Sequence, residues 1–231
     1  MKISIVIPCY NEKNTIVAIV KKINEIKNLN KEIILIDDFS NDGTVHIIKN
    51  EVSKYVSHVI YHDKNYGKGY AIQSGLKFVT GDIVLIQDAD LEYDPHDYEK
   101  LIDPIVNKKF LVVYGSRVLG KRVLSQNYFI SSFRVFANYC LTLLSNLVNN
   151  QNLTDAHTCY KVFHISVIKQ IKLQEKRFAF CPEITCKVSR LGIPISEVPI
   201  NYNGRTVTDG KKINFLDGIR AVYALFKYRF F

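Results

Sequence analysis

Five short apolar runs rich in β-branched residues, Ile3 to Ile7, Glu32 to Ile36, Val56 to Tyr61, Ile83 to Gln87 and Phe110 to Tyr114, each close on Pro, Asp, Asn or Gly and read as strands. Between the first two, Ile16, Ile19, Val20, Ile23 and Ile26 recur at helical spacing, with Asn14 as the expected N-cap. Helical patterns also fill Thr44 to Lys54 and Tyr70 to Val79. Strands alternating with helices predict an α/β fold, a mostly parallel sheet with helices on both faces. Ligands of such sheets bind beyond the carboxyl ends of the strands. The polar clusters fall there: Pro8 to Glu12 after the first run, Asp37-Asp38 after the second, Asn65 to Gly69 after the third, Asp88-Ala89-Asp90 after the fourth and Gly115-Ser116-Arg117 after the fifth.

The fourth end is the most acidic. Asp88, Asp90 and Glu92 are spaced two apart, so a backbone that stayed extended past Gln87 would turn all three carboxylates the same way. Two carboxylates about 5 Å apart at an effective dielectric of about 20 repel by roughly 3 kcal/mol. A hard divalent cation, Mg2+ or Mn2+, relieves that repulsion, accepts one or two protein carboxylates and leaves positions for substrate phosphates. A solvated turn carrying scattered acids is the competing reading of the same residues.

The chain has 231 residues, 47% of them hydrophobic, enough for a full core and one expected domain over 1–231. Its net charge of +9 favours an anionic partner: nucleic acid, a nucleoside diphosphate or an acidic membrane surface. No nucleic-acid motif accompanies the charge, and basic and aromatic residues do not interleave along any strand, so no nucleic-acid partner is expected. A nucleotidyltransferase would bring a glycine-rich N-terminal loop with a basic residue, which Pro8 to Glu12 is not. The N-terminus lacks a signal-peptide pattern, which predicts a cytoplasmic protein. The five cysteines form no Cys-x-x-Cys pair and are expected as buried free thiols.

After about residue 120 the pattern changes. From Val123 to Val148 only Arg134 is charged, and Phe129, Phe133, Phe136, Leu143, Leu144 and Leu147 form a helical stripe. The uncharged core from Val135 to Val148 is shorter than the ~20 residues of a membrane span. It suits either a buried core helix or a helix lying at a membrane interface. The last helix, Phe215 to Phe231, mixes Val222, Leu225 and Phe226 with Lys227 and Arg229, and suits lipid contact or packing on the back of the domain.

PCYNE, IDDFSNDGT, DAD and GSR, in this order and at these intervals, resemble glycosyltransferase family 2, with the GT-A fold. The later run VPINYNGRTVTDGKK resembles the basic loop of the polyprenyl-phosphate and dolichyl-phosphate sugar transferases. The resemblance spans nearly the whole chain and implies a donor half over 1–120 and an acceptor half, facing the membrane, over 121–231. It implies a metal-dependent, inverting transfer of a sugar from a GDP- or UDP-sugar to a polyprenyl phosphate or surface-glycan precursor, at the inner face of the cytoplasmic membrane.

By position, the resemblance places Pro8, Tyr10 and Glu12 around the donor's base and ribose. Ile36 and Asp38 line the base pocket, Asp38 accepting a ring N–H, while Asp37 serves structure. Asp88, Ala89 and Asp90 meet the donor, and Asp88, Asp90 and Glu92 the metal, although Glu92 stands where the family often has glutamine. Arg117, Arg205 and Lys211 face the diphosphate, where cations stabilise the charge that builds on the leaving group. Asp155 takes the place of a functional aspartate in the acceptor half, making Asp90, Asp155 and Arg117 the catalytic candidates. His157 is a weaker candidate. Where the lipid-phosphate enzymes carry Gly-Phe-Arg this chain reads DAHTCYKVF, and Lys161 is expected to stand in for that arginine near an acceptor phosphate.

Gly67-Lys68-Gly69 lacks the phosphate-loop spacing and reads as a glycine-permitted turn into a helix, with Lys68 near the phosphates as the lesser reading. Asp42-Gly43 reads as a turn before a helix. Asp94-Pro95 reads as an N-cap with proline at N1, and Asp97 and Glu99 as dipole-favouring acids of the first turn.

Overall fold

The computed structural model describes residues 1–120, 128–205 and 215–231. A seven-stranded sheet runs in the order β3-β2-β1-β4-β6-β5-β7, built from β1 (Ile3–Cys9), β2 (Lys31–Asp37), β3 (His58–Tyr61), β4 (Ile83–Ile86), β5 (Val112–Ser116), β6 (Lys161–His164) and β7 (Ile195–Pro199). The five expected strands are present, with ends shifted by up to two residues. β1 lies parallel to both β2 and β4, β2 to β3, and β5 to β7. Only β6 runs the other way, inserted antiparallel between β4 and β5. That reversal restores the direction of β5, so the carboxyl ends of β1 to β5 and β7 share one edge.

Every residue of β1 is buried, as a parallel strand covered on both faces requires. The pleat divides them. Ile3, Ile5 and Ile7 join Ile16, Ile19 and Ile23 of α1 (Ile16–Glu25) in the larger core, together with Leu101 and Ile105 of α4 (Tyr98–Val106). Val6 faces the opposite layer, with Ile34, Ile36, Val84 and Ala71 of α3 (Lys68–Leu76). Gly75 lets α3 approach: a Cβ there would lie 2.6 Å from Ile36 Cδ1 and 2.7 Å from Val6 Cγ1.

Local signals hold with adjustments. The cap of α1 is Thr15, not Asn14. The helix expected from Thr44 to Lys54 is regular only as α2 (Thr44–Ile47), then widens into a π turn at Ile48–Val52 and tightens to a 3-10 turn at Ser53–Tyr55. Gly43 precedes α2 at φ 101° while Asp42 Oδ1 accepts from Thr44 N at 3.0 Å, the expected turn. Asp94 caps by accepting from His96 N, but a single 3-10 turn, Pro95–Asp97, precedes α4. Four cysteines are buried as free thiols, whereas Cys140 is exposed.

In the second half α5 (Tyr128–Asn149), α6 (Ile165–Ile168), α7 (Phe180–Arg190) and α8 (Phe215–Phe230) follow. Ala224, Leu225 and Tyr228 of α8 pack on Ala179 and Cys186, with Leu144 of α5 against them. The outward faces of α5 and α8 are apolar. Val135, Phe136, Tyr139, Leu143 and Leu147 are exposed on α5, and Leu216, Ile219, Tyr223, Phe226 and Phe230 on α8. The inward positions of α5 are polar, Thr142, Ser145 and Asn149, each buried. Over residues 135–149, Leu144 apart, α5 is therefore inverted relative to a helix that covers a core from water, which corrects the buried-core reading for that stretch; the side chains of Phe129 and Phe133 lie outside the described residues. Among the described residues no helix is long and apolar enough to cross a membrane.

Candidate functional site

The loops beyond the shared edge are tied together by side chains. Asn11, at φ 52°, donates through its N–H to Ser40 Oγ (2.8 Å) and accepts from Asn41 N at Oδ1 (2.9 Å). Glu12 N donates to Thr44 Oγ1 at 2.9 Å. These bonds fix the loop after β1 against the loop after β2. Pro8 and Glu12 are buried and Tyr10 half-buried beside it.

Of the adjacent acids after β2, Asp38 accepts from His62 Nδ1 (2.7 Å) and Tyr66 N (2.9 Å) at Oδ1 and from Gly67 N (2.7 Å) at Oδ2. It anchors the loop into α3. Asp37 accepts from Ser40 N at Oδ2 (3.0 Å), while its buried Oδ1 has no hydrogen-bond partner. Ile36 has no exposed surface and packs in the core, so its side chain does not line a pocket.

After Ile86 the chain leaves the strand and turns, with Leu91 at φ 64°. Asp88, Asp90 and Glu92 consequently do not share one face of an extended segment, which corrects that expectation. Each is partnered within the chain. Asp88 pairs with Lys68 Nζ at 2.5 Å. Asp90 Oδ2 accepts from Arg205 Nη2 at 2.9 Å, and Glu92 accepts from Tyr202 Oη (2.9 Å) and Arg205 N (2.7 Å). Arg205 also reaches Glu12, 193 residues away, with Nη1 and Nη2 at 3.0 and 3.1 Å. Burial and the neighbouring Asp88 and Glu92 push the Asp90 carboxyl up to about 7, against the pull of Arg205. As these acids stand, no group of three or more His, Cys, Asp or Glu among the described residues is arranged to hold a metal ion.

Lys68 opens α3 directly after Gly67, which sits at φ 97°. The turn reading of Gly67-Lys68-Gly69 therefore holds, and Lys68 also reaches the acids. Burial would lower its pKa, but Asp88 holds it well above the ordinary value. Gly69 allows a close approach: a Cβ there would lie 2.3 Å from the Glu175 carbonyl oxygen.

Tyr202 connects two halves of the site. Its hydroxyl donates to Glu92, its ring lies edge-on to Tyr93, and Arg117 stands over its face, 5.2 Å from the centroid. Arg117 in turn grips Asp155, Nε to Oδ2 at 2.7 Å and Nη2 to Oδ1 at 2.8 Å, with its own N–H to Oδ2 at 3.1 Å. Burial opposes ionisation of Asp155, yet the guanidinium holds its carboxyl below the usual range. Glu197 accepts from Thr154 N and Asp155 N, fixing the backbone behind the pair.

Lys161 does not line the site. It is fully buried, donates to the carbonyls of Ala156 and Thr158 at 2.9 Å each and lies 3.9 Å from the Tyr114 ring centroid. It shapes the 153–158 loop from beneath, so it does not replace the missing arginine at an acceptor phosphate. Burial pushes the His157 imidazole down to about 4, and its Nε2 has no partner. Lys211 lies outside the described residues.

Sequence reasoning did not single out Tyr202, Glu197 or the bond from Asn201 N to Asp97 Oδ2 at 2.6 Å. The run VPINYN carried the signal, because its tyrosine and asparagines follow a strand. That strand, β7, was not recognised.

The chain matches the family model described as glycosyl transferase family 2 over residues 4–172. It is 28% identical to a dolichol-phosphate mannosyltransferase of Pyrococcus furiosus, covering 99% of this chain and 64% of that protein, so it spans less than two thirds of that relative. It is 29% identical to a UDP-N-acetylglucosamine–dolichyl-phosphate N-acetylglucosaminyltransferase of Methanococcus voltae, covering 96% of this chain and 94% of the relative. Glucosyl-3-phosphoglycerate synthase from Mycobacterium tuberculosis, solved with Mn2+, UDP and glucosyl-3-phosphoglycerate, superposes with a TM-score of 0.74 at 18% identity, over 98% of this chain and 79% of that one. That likeness shows the fold, GT-A. With nearly three quarters of its length inside the matched region, the chain belongs to glycosyl transferase family 2.

Proposed function

We infer that this protein transfers a sugar from a nucleoside-diphospho-sugar to a polyprenyl phosphate, with inversion at the anomeric carbon and with Mg2+ or Mn2+. The observation that carries the reading is the convergence of Glu12, Asp90 and Glu92 on one guanidinium, with Lys68 on Asp88, at the carboxyl edge of the sheet. The donor set is carboxylate oxygen, the chemistry a hard divalent cation requires, and the guanidinium and ammonium stand where positive charge is wanted. Asp88 and Asp90 would hold the ion, and Glu92 the segment that carries Tyr202 and Arg205. When bound, the ion neutralises charge on the diphosphate.

The chain's residues supply the rest. Tyr10, half-buried, and Glu12, in the loop after β1, would meet the donor's base and ribose. Arg205 and Lys68 would move to the diphosphate. A hydroxyl acceptor needs a base within reach, but Asp155 is ion-paired with Arg117 and held in its weakly basic form. A lipid phosphate already carries an anionic oxygen and needs no base. Arg117, fixed by Asp155 and Tyr202, supplies the cation to receive it. This favours a phosphate over a glycan hydroxyl. The relatives named for dolichyl-phosphate transfer support the same acceptor.

The apolar outer faces of α5 and α8 support peripheral contact with a membrane. Arg220 and Arg229 on α8 suit anionic headgroups, while the acid of that helix, Asp217, is buried and paired. The inner face of the cytoplasmic membrane fits this reading.

Labelled transfer from UDP- and GDP-sugars to polyprenyl phosphate tests it. Transfer should require Mn2+ or Mg2+ and vanish with chelator. Transfer indifferent to chelator refutes the metal, and incorporation only into a hydroxyl acceptor refutes the lipid phosphate.

A further inference from the structure

Arg205 holds a position that a loose surface arginine would not. Its side chain is one-fifth exposed, and the carboxylates it touches, Glu12, Asp90 and Glu92, are 6%, 13% and 10% exposed. Glu12 comes from the loop after β1 and Asp90 and Glu92 from the loop after β4, so the guanidinium joins two otherwise separate acidic loops. The tether is short and itself anchored to the acids. Arg205 N donates to Glu92 Oε1, Asn203 N to Glu92 O, and Tyr202 forms a bridge with Tyr93.

The fit is incomplete. Arg205 Nε is buried without a hydrogen-bond partner, its nearest carboxylate oxygen, on Glu92, being 3.8 Å away. A buried charged donor left unpaired is costly, and a phosphate oxygen would satisfy it while engaging the planar fork of the guanidinium. The acids, for their part, gain one positive charge from Arg205 where a divalent ion brings two. An exchange of partners therefore improves both sides: carboxylates pass from guanidinium to metal, and the guanidinium passes from carboxylates to diphosphate.

Resting on the glycosyltransferase reading above, we propose that Arg205 is a built-in counterion that occupies the metal's place until the donor arrives. A divalent ion entering alone must displace a tethered cation from its carboxylates with no anion brought to receive it. An ion entering with a nucleoside diphosphate brings the group that draws Arg205 away. Metal and donor thus bind interdependently, and the empty site neither collapses by repulsion nor collects stray metal.

The test is Mn2+ binding by calorimetry and electron paramagnetic resonance, with no sugar transfer involved, on wild type, Arg205→Gln and Arg205→Lys. Each is measured alone and with saturating UDP or GDP, and circular dichroism checks the fold. Wild type should bind Mn2+ at least about tenfold more tightly with nucleotide than without. Arg205→Gln should bind Mn2+ alone at least about tenfold more tightly than wild type, with the effect of nucleotide reduced. Arg205→Lys, which keeps the charge but replaces the five-donor planar fork with a compact ammonium, should fall between. If Mn2+ binds with nucleotide but neither variant binds it better alone than wild type does, the counterion role is wrong and the metal reading survives. If Mn2+ binds none of the proteins, with or without nucleotide, both fail.

Discussion

Removing the Asp155 carboxylate should leave Arg117 as an uncompensated cation in a nearly closed environment. The pair combines two side-chain hydrogen bonds of 2.7 and 2.8 Å with a backbone bond of 3.1 Å, and its side chains are 14% and 4% exposed. Breaking a buried pair by deleting one partner costs about 3–5 kcal/mol. Because Arg117 keeps its contact with the Tyr202 ring, the lower end applies, about 3 kcal/mol for Asp155→Ala. Asp155→Asn keeps the shape and one acceptor oxygen and should lose about 2 kcal/mol. The double variant Arg117→Met/Asp155→Leu removes both charges and should recover to within about 1 kcal/mol of wild type, since apolar replacement of a buried pair is often neutral. Urea unfolding of wild type, the singles Arg117→Met and Asp155→Leu, and the double variant closes the cycle and gives the coupling energy. Lipid-phosphate transfer should stay abolished in the stable double variant, separating the fold's need for neutrality from the reaction's need for the guanidinium. A loss below about 1 kcal/mol in Asp155→Ala, or a double variant less stable than both singles, would refute the buried-pair argument.

Replacing Leu143 and Leu147 of α5 together by glutamate should leave stability in water within about 0.5 kcal/mol of wild type, because both leucines are exposed. Co-sedimentation with vesicles containing anionic lipid should weaken roughly a hundredfold, from about 3 kcal/mol of lost apolar burial, and unchanged sedimentation would remove α5 from the membrane contact. Burial would raise the pKa of Glu32, but Lys2, Ser4 and Thr80 together hold it down at about 2, from an ordinary 4.5. A depressed carboxylate stabilises the fold fully above its unfolded pKa and loses that contribution as pH falls through the folded one. Glu32→Gln should therefore cost about 2–3 kcal/mol at pH 6 and under about 1 kcal/mol near pH 2.5, measured by denaturant unfolding; an equal loss at both pH values would show that the bonds do not depend on ionisation.

The architecture of the first half was legible because its signals are local. A fully buried parallel strand such as Ile3–Cys9 must be continuously apolar, and the polar residue that ends it must lie at an edge where ligands gather. The acidic loop was legible in composition but not in shape, since nothing local to Asp88 specifies that Lys68 and Arg205 will take its carboxylates. Asp37 and Asp38 differ in which donors reach them, the nearby Ser40 for the first and His62, Tyr66 and Gly67 in a distant loop for the second. Strands β6 and β7 escaped because β6 is a four-residue insertion of reversed direction and the residues of β7 are mostly half-buried, which weakens the pattern. Lys161 misled for the same reason that made it noticeable, since a lysine in a motif position suggests a ligand contact unless its carbonyl partners are seen.

The inversion of α5 joins the proposed lipid surface to the proposed acceptor cation. A helix whose buried side is polar needs partners for those groups; Ser145 accepts from Asn149, while Thr142 and the half-buried Asn146 find theirs in the backbone of the loop that carries Asp155. Asn146 clasps Leu153, accepting from its N–H at 2.9 Å and donating to its carbonyl at 2.8 Å, and Thr142 Oγ1 accepts from Ala156 N at 3.3 Å. Asp155 lies between those two anchors and fixes Arg117. The outer residues Leu143 and Leu147 stand on the same helical turns as these anchors. Seating the apolar face against lipid would therefore set the height of the Arg117 guanidinium relative to the headgroups. An acceptor whose phosphate is held at that level by its own chain requires just such a fixed height, whereas a soluble acceptor would gain nothing from it.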